Sequence, residues 1–190
     1  MLAETAAALG GLFADAPPRA LLRDALVLVH LAAMAAGLGM VIATDLWVLR
    51  RMAAPLGLRR IAGLVRTHRM IGRALGVLWA SGLGLAALAL SAPGAEASPK
   101  LLAKLAVVSG LTLTAGAMRW AVLPVLARRP GRALVELPLG GKCLLAACGG
   151  LSTAGWASAL MLGAAGVLRD AGPQALAALV VGLHALAVLF

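Results

Sequence analysis

Residues 24–49 read DALVLVHLAAMAAGLGMVIATDLWVL. As a helix at about 1.5 Å per residue this run is longer than the roughly 30 Å hydrocarbon core of a bilayer. It has no two-residue alternation, so it is read as a transmembrane helix and not as a barrel strand. Four further apolar runs follow, at 71–92, 101–126, 143–167 and 174–190, each near or above the roughly 17 to 25 residues a membrane helix needs. With 62% hydrophobic residues, 13% charged residues and a mean hydropathy of +0.98, the chain falls outside the range of soluble globular domains. Only helices satisfy their own backbone within one apolar segment. The expected fold is all-α: a polytopic membrane bundle of five transmembrane helices forming one domain over 24–190.

The net charge of +10 is unevenly placed. Arg50, Arg51, Arg59, Arg60, Arg66, Arg69 and Arg73 occupy the first joint and its borders, and Arg128, Arg129, Arg132 and Lys142 the third. The second joint carries Glu96 and Lys100, and the fourth Arg169 and Asp170. Cationic joints stay on the cytoplasmic side. The N-terminus is therefore expected outside and the C-terminus in the cytoplasm of a bacterial inner membrane. Such flanking cations orient helices and attract anionic lipid; with 3% aromatic residues there is no stacking platform, so nucleic acid is not expected as a partner.

Residues 1–23 precede the first run. They lack the cationic start of a cleaved secretory signal, and Phe13, Leu2 and several alanines mixed with Glu4 and Asp15 suit an outer interfacial tail ended by Pro17-Pro18.

Small residues recur at four-residue spacing: Ala33 and Gly37, Gly72 and Gly76, Ala80 and Gly84, and Gly155, Ala159 and Gly163. Such stripes allow helices to approach closely, within the bundle or against other membrane subunits or a second copy. Cys143 and Cys148 point to different faces of one helix and are expected as free thiols.

Ionisable groups inside apolar runs are costly, which makes them the candidates for chemistry. His30, Met34, Lys104 and Met161 fall at comparable depth in the outer half. Asp45, His68, Arg73 and Arg119 form an inner set, and His184 lies nearer the middle. Imidazole and thioether are ligands for haem iron or copper(I), and a lysine can pair with a propionate. The alternative is a histidine bonded to a neighbouring helix, methionine filling gaps and lysine snorkelling to the interface. On the first reading His30, Lys104 and His184 are the haem-contacting candidates, and His30, Met34 and Met161 the metal-ligating ones. Haem b is the cofactor considered first and copper second.

Two segments carry a resemblance. VLVHLAAMAAGLGMVIATDLWVLRR at 27–51 places a histidine early in its helix, and SPKLLAKLAVVSGLTL at 98–113 opens another with a lysine one turn in. This pairing resembles the HemJ-type protoporphyrinogen oxidases and the copper-resistance D type, as well as uncharacterised families of the same layout. The resemblance implies porphyrin or haem chemistry in the first case and copper handling in the second. It would make His30 the haem ligand and Lys104 its polar companion. It covers about a quarter of the chain; the aromatics usual around that histidine are absent, and no histidine follows Lys104 in its helix.

Three function classes follow: an accessory or structural subunit of a membrane complex, a haem-binding protein or oxidase, and a copper or ion transporter. Transport is favoured by broken helices or repeat symmetry. Neither is evident, since Pro124 falls near a helix end.

Overall fold

The computed structural model describes residues 17–168 and 171–189. Among these, five helices build the protein: α1 (Pro18–Arg50), α2 (Leu58–Leu90), α3 (Pro99–Ala127), α4 (Leu139–Ala164) and α5 (Pro173–Leu189). The first four are long and apolar enough to cross a membrane. The fifth has 17 residues, at the short limit for a span.

Proline sets the upper ends. Pro18 and Pro99 occupy first-turn positions, where the missing N–H costs nothing and the fixed φ favours the helix. Ser98 adds a side-chain cap by accepting the Leu101 N–H at 3.2 Å. The helix starts at Pro18, so residues 18–23 are helical; residues 1–16 of that tail lie outside the described residues, as do Arg169 and Asp170. At the other end α2 starts at Leu58, upstream of its apolar run, so Arg59, Arg60, Arg66, Arg69 and Arg73 are helical. Arginine is a good helix former, and hydropathy alone does not mark where such a helix begins.

Within α3, residues Met118–Val122 form a π turn, closed by the Leu123 N–H bonding to the Met118 carbonyl. Pro124 explains it. Its ring removes one ladder donor and crowds the preceding turn, and a wider turn absorbs the misfit.

α1 and α2 form an antiparallel pair whose register is fixed by three contacts. Arg19 donates to the Leu88 carbonyl and to Ser91 Oγ at 2.7 and 2.9 Å, Leu26 lies over Gly84, and His30 meets Ser81. α4 is the central helix, touching α1, α3 and α5. Trp156 of α4, 1% exposed, lies in the notch left by Gly37 on α1. Leu111 of α3 fits over Gly155, and the Ala187 carbonyl of α5 sits over Gly150. Around this seam Met34, Val41, Leu75, Leu78, Leu162 and Leu176 make the main apolar cluster.

The small-residue stripes divide accordingly. Gly37, Gly84, Gly155 and Ala159 are used inside the bundle, whereas added methyls at Gly72, Gly76 and Gly163 would meet nothing within 4 Å.

The two basic joints close one end together. The Leu56 N–H donates to the Arg132 carbonyl at 2.9 Å, the Gly131 N–H to the Leu56 carbonyl at 2.8 Å, and the Val135 N–H to the Met52 carbonyl at 3.1 Å. Gly131 has φ 83°, a left-handed conformation natural to glycine, which turns its N–H towards Leu56. Leu56, Ile61, Val122, Leu126, Leu134 and Leu137 pack beneath as a second cluster.

Candidate functional site

His30 sits two-thirds of a helix away from the basic end, half-buried between α1 and α2. The absence of a side chain at Gly82 makes room for its ring, since a methyl there would stand 3.2 Å from Cε1. Its Nδ1 lies 2.9 Å from Ser81 Oγ, and the Ser81 hydroxyl in turn donates to the Val77 carbonyl at 2.7 Å. Nδ1 donates in this pair when the Ser81 proton is directed at the Val77 carbonyl and accepts when that proton turns to the ring, so the tautomer follows the hydroxyl. Lys104 of α3 is close enough for its charge to act on this ring. Lys104 and His30 thus share the end of the bundle remote from the basic joints.

A fixed Nδ1–H with an open Nε2 is the arrangement in which histidine ligates metals, because the hydrogen bond sets both tautomer and ring orientation. His30 bonded to a neighbouring helix and Met34 filling the main cluster are the contacts of the alternative reading, and a haem-type ligand at His30 requires in addition that Nε2 be the unprotonated nitrogen. Copper(I) fits less well, because the soft ligands are not gathered: Met34 is enclosed in the main cluster, Met161 is exposed, and no group of three or more His, Cys, Asp or Glu residues occurs among the described residues.

His184 lies in a different place. Its Nδ1 donates to the Val180 carbonyl at 2.8 Å, and Nε2 faces Gly155. It borders a lateral apolar groove of about 660 Å³ formed by α3, α4 and α5, with Val107, Gly110, Leu151 and Val181 among its walls. His30 packs on α2 and His184 on α4, so the two rings serve different neighbours.

The inner polar set also separates. The Asp45 carboxylate accepts a hydrogen bond from the Thr153 hydroxyl across α1 and α4. His68 lies beside Ala115 and Arg119, at the start of the π turn. Arg73 is exposed. Cys143 is exposed and Cys148 buried, both free.

Ser81 and Thr153 are the site residues that the sequence reading passes over. A hydroxyl in an apolar helix ordinarily bonds to its own backbone, as Thr44 and Thr114 do here, so nothing local distinguishes Ser81 and Thr153, which reach a neighbouring helix. The α1–α2 register would have found Ser81.

The fold and these positions make the chain a helical bundle with four helices long and apolar enough to cross a membrane and a polar site towards the end remote from the basic joints. No known family, curated protein or solved structure matches it.

Proposed function

We propose that this chain is a multi-pass inner-membrane protein that holds a haem-type macrocycle on His30, with Lys104 pairing with a propionate or another anionic substituent. The observation that supports this reading is His30 held against Ser81 at 2.9 Å across α1 and α2, with the charge of Lys104 acting on the same ring. A bound haem would supply one-electron redox chemistry. The chain's own contribution is to orient the imidazole through Ser81 and to offset anionic charge through Lys104. The bundle is oriented with its closed, basic end in the cytoplasm, in accord with the positive-inside rule.

A second reading, an accessory subunit of a larger membrane complex, is favoured by the open stripe of Gly72 and Gly76 on α2, which leaves room for another helix. One experiment divides the two. Protein expressed with ample haem and purified in mild detergent should show a Soret band that His30→Ala abolishes and Lys104→Ala weakens. A wild type as colourless as His30→Ala, copurifying with other membrane subunits, would replace the haem reading by the accessory one.

A further inference from the structure

The α1–α2 register places unlike surfaces at the same depth. Pairing Arg19 with Ser91, Leu26 with Gly84 and His30 with Ser81 gives residue numbers that sum to about 110. Continued down the pair, this register sets Arg73 level with Gly37 and Leu38, Arg69 level with Val41 and Ile42, and Arg66 level with Asp45. On α1 the surface at this depth and below is apolar: Ile42, Leu46 and Leu49 are all exposed. On α2 it is cationic, because Arg59, Arg66, Arg69 and Arg73, spaced by seven, three and four residues, share one helix face and are all exposed. The bundle-facing column of α2 is Ile61, Leu75 and Leu78, about half a turn away.

At this end of the chain the carboxylates are Asp45, which is held by Thr153, and Glu136, which pairs with Arg132 at 3.5 Å. Among the described residues none of the four arginines forms an ion pair. The register sets Ala86 level with Asp24, where the exposed charges of the α1 N-terminus end, and Arg73 lies about 20 Å along the helix from it, so Arg69 and Arg73 stand within the depth that α1 fills with apolar surface. On the α1 side the apolar surface continues about 16 Å further, to Leu49, and demands hydrocarbon there. The lipid around α2 must therefore present negative charge deeper than the lipid around α1.

We propose that the outward face of α2 is a binding site for an anionic phospholipid of the cytoplasmic leaflet, its phosphate held by Arg69 and Arg73 and drawn in towards the membrane centre. Guanidinium forks match phosphate oxygens in pairs, and the side chains of a helix lean towards its N-terminus, here the cytoplasmic end, which lets both reach a headgroup. This site is independent of the haem reading, since it lies on the opposite side of α2 from the bundle.

The test is thermal stability of the full chain in detergent with added phosphatidylglycerol, cardiolipin or phosphatidylcholine, together with native mass spectrometry of retained lipid. Wild type should be stabilised by the two anionic lipids and not by phosphatidylcholine, and should retain one of them. Arg69→Gln/Arg73→Gln should lose that retention and weaken anionic-lipid affinity by about ten-fold or more, while Arg19→Gln at the far end should not. Arg69→Lys/Arg73→Lys keeps the charge without the fork and should fall between. Equal stabilisation by phosphatidylcholine, equal response in the double glutamine variant, or retention of a protein partner in place of lipid would each overturn the proposal.

Discussion

Trp156 of α4 occupies the space that a side chain at Gly37 of α1 would fill. The indole is 1% exposed and ties the α1–α2 pair to the α3–α4–α5 layer. Gly37→Ala should destabilise the protein by about 1–3 kcal/mol through overpacking, measured as a lowered Tm in detergent. Gly163→Ala, where an added methyl meets nothing, should leave Tm unchanged. Equal shifts for both would mean that the Trp156 notch is not the seam of the bundle.

Ser81 holds the His30 ring at 2.9 Å and is not itself among the usual axial ligands of haem iron. In haem-loaded protein, Ser81→Ala should keep a Soret band but shift or broaden it and speed haem loss, whereas His30→Ala should remove it altogether. His184→Ala is expected to leave the spectrum intact, because its ring serves the groove beside α4. A loss of the band in His184→Ala equal to that in His30→Ala would place the ligand in that groove instead.

The closed end of the bundle sets the topology. Met52, Leu56, Gly131, Arg132 and Val135 join both basic joints through backbone hydrogen bonds, so these joints lie on one side of the membrane. A reporter after Phe190 should behave as cytoplasmic and one inserted at Gly94 as external, the latter on the α2–α3 turn at the opposite end. The reverse pattern would place the arginine face of α2 outside.

How much of this was readable beforehand depends on whether the signal is local. The apolar runs gave the class because bilayer thickness converts directly into residue count, and His30 and Lys104 stood out because charge and imidazole are rare at such depth. The α2 start at Leu58 was not readable: arginine sits as well in a helix as in a joint, and hydropathy reports only the portion in lipid. Ser81 and Thr153 were invisible for another reason. Their role exists only once α1 is set against α2 and α4, and a single chain of residues carries no direct record of that register. The use of Gly37 and Gly155, but not Gly163, likewise depends on where Trp156 and Leu111 arrive.

The Asp45–Thr153 pair gives a measurable case of that dependence. The carboxylate is half-buried, and the Thr153 hydroxyl is the donor that the structure brings to it across the α1–α4 contact. Thr153→Val preserves shape while removing the donor, which leaves Asp45 short of a partner and should cost about 1–3 kcal/mol. Asp45→Asn keeps an acceptor oxygen and should cost less. Replacing both residues, as Asp45→Leu/Thr153→Val, removes donor and acceptor together and should recover much of the loss, since neither polar group is then left unpaired. The double-mutant cycle, read from Tm or denaturant unfolding in detergent, should therefore give a coupling energy of about 1 kcal/mol or more. Additive effects, with Thr153→Val harmless while Asp45 is present, would show that the carboxylate is satisfied elsewhere and that this contact does not join α1 to α4.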